Sequence, residues 1–432
     1  MLDIKVIRED PERVKRGALK KHFPDRAAAV DRLLSLDKEV RELIPRIDGL
    51  RSEQKASSKQ RGSALGDLPE AERQEFLDRQ KALKAELQKL EETEKSLRAD
   101  MQAQALLVPN IPDEDVPEGK DDQANVEIRK WGDLPERSFE IRPHYELGEA
   151  QGWMDFLRAA RISGSRNYFL LGEVALLQDA VLRYATDCMV AKGFISVDPP
   201  LLVRNQAMVG TAFFPGGEEQ TYRSEKDELN LIGTAEVPVT SIHAEEILDE
   251  EVLPKLYVGR SSCFRREAGT YGKDTKGLYR VHQFQKVEQV IVDIDDVERS
   301  MEHHEGIVRN AEEILQAFDL PYRVVNVCGG DLGVPQVKKF DIECWMPSRD
   351  GYGETHSASR FHDFQARRSK IRYRRKDNKK VAFCHTLNNT VLASPRILIP
   401  LLEVHQQADG TVRLPEVLVP YMNGREVIGR PL

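Results

Sequence analysis

Residues 263–289 read CFRREAGTYGKDTKGLYRVHQFQKVEQ. Strand-like runs stand at both ends, and Gly269, Gly272 and Gly277 lie between them, so the pattern predicts a hairpin with a long flexible tip. Arg265, Arg266, Lys273, Lys276 and Arg280 cluster on it, with Phe284 close by. Guanidinium forks match phosphate oxygens, and an aromatic face stacks on a base. The chain has no G-x-x-x-x-G-K-[ST] segment and no G-x-G-x-x-G after a strand. A nucleotide held here would rest on strands and arginines, away from any helix N-terminus.

Three further stretches carry chemistry. Gly233-Thr234-Ala235-Glu236 precedes an apolar run; alone it reads as a capping box. Residues 343–357 end in Gly353-Glu354-Thr355-His356-Ser357, and Glu343 and Glu354 offer oxygen ligands for Mg²⁺. A solvated acidic loop is the equal alternative. In residues 385–396, HTLNNTVLASPR, a strand leads into a helix over 395–405, with Ser394 as N-cap and Pro395 at its first position. Arg396 then sits at a helix N-terminus, where its charge opposes the dipole unless an anion is present.

Outward from these stretches the chain divides. Leu33, Leu36, Val40, Leu43, Ile47 and Leu50 repeat at heptad spacing, as do Phe76, Gln80, Leu83, Leu87, Leu90, Glu94, Leu97 and Met101. Pro45 should bend or loosen the first run, and residues 62–69 break the pattern. Two long helices joined by a turn read as an antiparallel hairpin. A ~32-residue helix is roughly 48 Å long, too long to fold back entirely on a core, so the pair should project as an arm. Residues 107–125, rich in Pro, Asp and Gly, read as a linker. Beyond it, a helix is predicted over 173–192 and strands over 256–260, 283–294 and 381–387. The basic stretch 367–380, in which Ile371 and Tyr373 alternate with Arg372 and Arg374, reads as a hairpin with one wet face.

At 432 residues the chain has length for two or three domains of ~150 residues. Net charge is −8, against a general nucleic-acid coat. Residues 1–110 nevertheless carry 23 Lys and Arg against 21 acids, and the remainder 41 against 51, so the first part is the likelier polyanion partner. No apolar run approaches the ~18 residues of a membrane span, and the first residues lack a signal peptide's apolar segment. The five cysteines are widely spaced with no C-x-x-C pair, which argues against disulfides or a cysteine zinc site and for a reducing cytoplasm.

Taken together, these residues resemble the class II aminoacyl-tRNA synthetases. Phe264-Arg265-Arg266-Glu267 is similar to their motif 2. Val197-Asp198-Pro199-Pro200-Leu201-Leu202 is similar to motif 1, which lies at a dimer interface, and residues 387–396 to motif 3. The seryl branch is singled out by Thr234-Ala235-Glu236, Tyr279-Arg280-Val281-His282-Gln283-Phe284, Phe364-Gln365-Ala366-Arg367-Arg368 and Pro415-Glu416-Val417-Leu418. The arm and Val108-Pro109-Asn110-Ile111-Pro112 match as well, so the resemblance, to the bacterial type, covers essentially the whole chain.

The resemblance implies an α+β protein. Residues 1–106 would form a tRNA-binding domain whose antiparallel two-helix coiled-coil arm spans about 30–104. A linker would follow at 107–125, then an antiparallel-sheet catalytic domain flanked by helices at 126–432. The implied activity is homodimeric serine–tRNA ligation, using ATP and Mg²⁺ and no zinc, on tRNA(Ser) and on tRNA(Sec). Arg265 would bind the α-phosphate and the serine carboxylate, with Arg266 beside it, and Glu267 would support the ATP and metal end. Arg280 and Arg396 would reach the β/γ-phosphates. Phe284 would stack on adenine beside Val281. Glu354 would hold Mg²⁺, with Thr355, His356 and Ser357 at the same site. Thr234, Ala235, Glu236, Glu288 and Thr390 would form the serine pocket. The arm, through residues such as Arg51, Lys55, Lys59, Arg73 and Lys81, would grip the tRNA's long variable arm. Two departures stand out. Asn388-Asn389-Thr390-Val391 replaces the glycine-rich start of motif 3, and Glu354-Thr355-His356-Ser357-Ala358-Ser359-Arg360 stands where many relatives have E-Φ-S-S-C-S-N.

Two other classes compete: a ligase that loads an amino acid onto a carrier protein, and a non-catalytic RNA-binding paralogue. The arm weighs against the first. The presence of Arg265, Glu267, Glu288, Glu354 and Arg396 together weighs against the second.

Overall fold

The computed structural model describes all residues except 65–68, 135, 270, 271 and 273–275, and the backbone alone at 58–64. Two compact units emerge, one formed by Leu2–Leu19 with Phe23–Pro109, the other by Met1, Lys20–His22 and Asn110–Leu432.

The smaller unit is helical: α1 (Ile4–Glu9), α2 (Pro11–Lys20), α3 (Pro24–Ala64) and α4 (Glu70–Leu107). The heptad seam accounts for the pairing of α3 with α4. Leu43, Ile47 and Leu87 are buried against one another, with Leu50, Leu90 and Leu97 packed around them. Pro45 does not interrupt α3, which begins before the predicted start and runs past Gly62 to Ala64. At 1.5 Å per residue, 41 residues make a helix of about 60 Å. Outside the seam, charge pairs link the helices: Arg51 reaches Glu91 at 2.8 Å and Arg79 reaches Glu53 at 2.6 Å. Near the base, Asp37 is buried but accepts from Arg8 Nε at 2.8 Å and Arg41 Nε at 3.0 Å.

The larger unit is built on an eight-stranded sheet. Its strands are β1 (Val126–Trp131), β2 (Ile195–Val197), β3 (Lys255–Phe264), β4 (Gln283–Asp293), β5 (Tyr322–Asn326), β6 (Lys338–Met346), β7 (Gly351–His362) and β8 (His385–Ser394), in spatial order β1-β5-β6-β7-β8-β4-β3-β2. Neighbours are antiparallel except β2 and β3. Alternation along the central strands separates the two faces. Val287 and Ile291 of β4, with Leu387 and Val391 of β8, enter the apolar core. Gln289 and Asn389, on the same parity, bind the Ile307 carbonyl of a covering helix. The opposite parity, Lys286, Glu288 and Thr390, makes a polar cluster on the other face.

Two long helices cover the apolar face, Gly172–Ala191 and Val297–Ala317. The second starts where the Asp296 carboxylate accepts from the Arg299 amide at 3.0 Å. It buries His304, Ile307, Val308, Ala311, Ile314 and Leu315, a stripe at helical spacing. The first ends at Gly193, whose φ of +89° supplies the left-handed residue that stops a helix.

Three expectations need correction. The run 381–387 is two strands, Val381–Phe383 in a small sheet and β8 in the large one, parted at the buried Cys384. The basic stretch begins in a short helix, Phe364–Ser369, and only then forms the expected hairpin, Arg372–Arg374 with Val381–Phe383, with Tyr373 buried on one face and Arg374 exposed on the other. The supposed linker is docked from Asn110 onward. Its amide donates to the Val334 carbonyl at 2.9 Å, its side chain to Pro335 and Phe361 carbonyls, and the Asp113 amide to Val337.

Burial, rather than surface charge, should hold the arm together. Ile47→Ala should cost about 2–4 kcal/mol in chemical denaturation followed by helical circular dichroism. Arg51→Ala, which removes an exposed pair, should cost under about 1 kcal/mol. Equal losses would contradict this ranking.

Candidate active site

The loop after β3 and the strand β4 form one wall of a cleft, and β7 with the end of β8 forms the other. Arg265, Glu267, Arg280, Val281, Phe284, Glu354, Thr355, Thr390 and Arg396 all line this cleft of about 530 Å³. Residues 354 and 396 lie far from 265 in sequence, and only the strand order brings them together.

One half of the cleft is cationic. The Arg265 guanidinium lies 5.1 Å from the Phe284 ring centre, and its Nε donates to the Gly233 carbonyl at 3.3 Å. Arg280 pairs with Glu267 at 2.8 Å. Arg396 donates to the Tyr279 carbonyl at 3.1 Å and the Glu354 carbonyl at 2.9 Å, and sits 3.9 Å from the Glu354 carboxylate. Burial raises the Glu354 pKa, but Arg396, Lys339, Arg265 and Arg280 together hold it below the ordinary value. Two arginines thus rest on carboxylates, where a polyphosphate can replace the partner.

Lys286 and Thr390 also line the cleft, and behind them lies a buried polar cluster whose members Thr234, Glu236 and Glu288 are not in the lining. Lys286 forms an ion pair with Glu288, and Lys286 and Thr390 meet at 3.3 Å. Thr390 also donates to Glu288 at 3.3 Å. Beyond them lies Glu236, which accepts from Gln365 at 2.7 Å; Gln365 is itself fixed by Thr386. Burial first, and then the neighbouring Glu288, push the Glu236 pKa up to about 7. Thr234 does not cap by its carboxylate-side partner in the box; its hydroxyl accepts from the Glu236 amide at 3.2 Å, while the Glu236 carboxylate faces Gln365.

Several sequence-based assignments change. Glu343 pairs with Arg323 at 2.6 Å and does not line the cleft, so it is not a second ligand beside Glu354. His356 is buried, bonded through Nδ1 to the Thr355 hydroxyl at 2.8 Å, and burial pushes its pKa down to about 4. The Thr355 hydroxyl is turned to the Ile342 carbonyl at 3.2 Å. Neither side chain aims a polar group into the cleft. Ala235 packs its methyl against Val239, Tyr257 and Val290. Arg266 lies outside the cleft lining, its amide bonded to Gln220. Ser357 faces Asp341 across the β6–β7 ladder. Ser394 does not cap a helix: its hydroxyl bonds Gln178 at 3.0 Å, and the helix starts later, at Leu398. Arg396 is therefore held by Tyr279 and Glu354 rather than placed on a helix dipole.

The cleft also contains residues not read from the sequence. Lys286 shares the strand parity of Phe284 and Glu288, a signal that could have found it. Tyr279, beneath the Arg396 guanidinium at 4.4 Å, has no local signal, because its partner is remote in sequence. Among the described residues, no three His, Cys, Asp or Glu side chains converge to hold a metal alone. The donors at Glu354 are oxygens, which suits Mg²⁺ when phosphate oxygens complete the shell. Lys59 falls among residues described by backbone alone, and Lys273 outside the described residues.

Comparison with known proteins places the chain in a family. The family model of the seryl-tRNA synthetase N-terminal domain matches residues 1–112, and that of the class II core domain for G, H, P, S and T matches residues 219–405. A serine–tRNA ligase of Deinococcus radiodurans is 46% identical over 432 residues, all of both chains. The crystal structure of seryl-tRNA synthetase from Pyrococcus horikoshii complexed with ATP superposes with a TM-score of 0.93 at 42% identity, covering 100% of each chain. The cytoplasmic serine–tRNA ligase from Naegleria fowleri in complex with AMP gives 0.87 at 31% identity, covering 99% of each. With arginines and carboxylates converging on one cleft and full-length similarity on this scale, the chain belongs to the seryl-tRNA synthetases, the class II serine–tRNA ligases.

Proposed function

We propose how this cleft carries out serine activation. Arg265 binds the ATP α-phosphate and the serine carboxylate and brings them together. Phe284, already stacked with Arg265, takes the adenine with Val281 beside it. Arg280 leaves Glu267, and Arg396 leaves the Glu354 carboxylate, to hold the β/γ-phosphates. Glu354 would hold Mg²⁺, which would supply further neutralisation of phosphate charge. The serine carboxylate attacks the α-phosphorus, the bond to the bridging oxygen breaks, and pyrophosphate leaves. A terminal ribose hydroxyl of tRNA then attacks the seryl carbonyl and displaces AMP. Positioning and electrostatics supply the catalysis, so no side-chain nucleophile is needed. The observation that carries this reading is the convergence of Arg265, Arg280 and Arg396 on one cleft beside a buried carboxylate and hydroxyl cluster.

The serine pocket is assigned to Thr234, Glu236, Glu288 and Thr390. Serine brings an ammonium and a hydroxyl, and alanine would leave the pocket's buried polar groups unpaired. We further infer that the division into 1–106, 107–125 and 126–432 separates tRNA grip from chemistry. Lys55, Arg73 and Lys81, exposed on α3 and α4, are available to phosphate, whereas Arg51 is partly engaged by Glu91. The tRNA would be tRNA(Ser), held by its long variable arm and presenting its acceptor end to the cleft, with tRNA(Sec) a second substrate. The protein would act in the cytoplasm as a homodimer joined around residues 197–202. No helix among the described residues is long and apolar enough to cross a membrane.

Three experiments test this reading. Arg265→Ala should abolish adenylate formation while the thermal transition stays near wild type; near-normal adenylate would remove its role. Deleting residues 35–97 should leave serine activation intact and cripple tRNA charging, and surviving charging would refute the arm assignment. Glu236 is a neutral acid below about pH 7 and a carboxylate above it. Its attraction for the serine ammonium should therefore grow as pH rises, so kcat/KM for serine should climb between about pH 6 and 8. Glu236→Gln should lower and flatten that profile. A flat wild-type profile would contradict the assignment.

A further inference from the structure

His144, at the start of the helix His144–Gln151, is buried beside the cleft. Its two ring nitrogens have different partners. The Leu278 amide donates to Nε2 at 3.1 Å, and Nδ1 lies 2.8 Å from Glu403 Oε1. An amide only donates, so Nε2 must offer its lone pair and the proton sits on Nδ1, donated to Glu403. Glu403 is 0% exposed and also accepts from the His144 amide at 2.9 Å, the Ser348 amide at 3.0 Å and the Ser348 hydroxyl at 2.7 Å. Burial raises its pKa, but these donors more than offset that and hold the carboxylate ionised.

Both ends of this network reach Tyr279. Leu278 precedes it directly, and the Tyr279 carbonyl accepts from Arg396. Ser348 precedes Arg349, whose guanidinium lies 4.1 Å from the Tyr279 ring centre, while Arg396 lies 4.4 Å from the same ring. The approach of His144 depends on Gly277. At φ +70° a Cβ on residue 277 would come within 2.2 Å of His144 Nε2.

We infer that His144, with Glu403 and Ser348, is a positioning residue for ATP: it fixes the Leu278–Tyr279 backbone on which Arg396 is aimed. The inference rests on the reading of Arg396 as a phosphate ligand. Its effect should fall on ATP and spare serine, because Glu236, Glu288 and Thr390 share no hydrogen bond with the network.

The test is serine-dependent pyrophosphate exchange by the full-length protein, with KM measured separately for ATP and serine. His144→Ala should raise the ATP KM about ten- to a hundredfold, the loss expected for a buried hydrogen-bond partner, and keep the serine KM within about twofold. His144→Gln, which retains a donor and an acceptor, should recover most of the loss. Gly277→Ala should reproduce the His144→Ala pattern with the imidazole still present. An unchanged ATP KM in His144→Ala, or equal rises for ATP and serine, would overturn the inference while leaving the role of Arg396 standing. Near-normal exchange in Arg396→Ala would remove the underlying reading and the inference with it.

Discussion

Side chains of a β-strand alternate between the two faces of its sheet, and the active site depends on that alternation at β4 and β8. One parity, Val287, Ile291, Leu387 and Val391, is apolar and seats two helices. The other, Lys286, Glu288 and Thr390, stays polar, and Lys286 and Thr390 line the cleft. A one-residue slip in register would exchange the faces, burying the polar cluster under helices and presenting valines to substrate. The core that stabilises the sheet and the floor proposed to receive an amino acid are thus set by the same pairing. Gln289 and Asn389 reinforce it by anchoring the apolar side to the Ile307 carbonyl.

Above that floor the site stores its charges in pairs. Arg280 rests on Glu267 and Arg396 beside Glu354. In the proposed mechanism each guanidinium is already held near the position it would take on phosphate, by a carboxylate that the phosphate would displace. Such an exchange costs less than ordering a free arginine, since the side-chain entropy is already lost. The smaller unit works by different physics. Its helices pair through a leucine and isoleucine seam and leave charged residues outward, a design that builds length without a large core.

Local patterns and remote contacts differed in how far the sequence revealed them. The arm was legible because its apolar residues repeat every three or four positions within one helix, a signal that needs no tertiary contact. Arg265 was legible from the arginine-rich stretch it opens, and Phe284 and Glu288 because one strand carries them at even spacing. Lys286, between them on the same parity, was missed because a strand lysine ordinarily reads as a wet surface. Tyr279 was missed because its meaning comes from Arg396, 117 residues later. At Ser394-Pro395 the local capping preference lost to a tertiary bond, the serine hydroxyl turning to Gln178. Glu343 looked like a partner for Glu354, yet Arg323 on the adjacent strand takes its carboxylate. The 107–125 stretch had a linker's composition, but its Asn110 and Asp113 amides donate to the Val334 and Val337 carbonyls.

The central claim is that this cleft activates serine and discriminates by pairing its hydroxyl and ammonium. The most direct measurement is exchange of labelled pyrophosphate into ATP, with Mg²⁺, comparing serine with alanine, threonine, glycine and cysteine. Exchange should depend on serine, with alanine weaker by a factor on the order of 10⁴, as expected where buried polar groups lose their partner. Comparable exchange with alanine, or exchange driven by a different amino acid, would contradict the pocket built from Thr234, Glu236, Glu288 and Thr390.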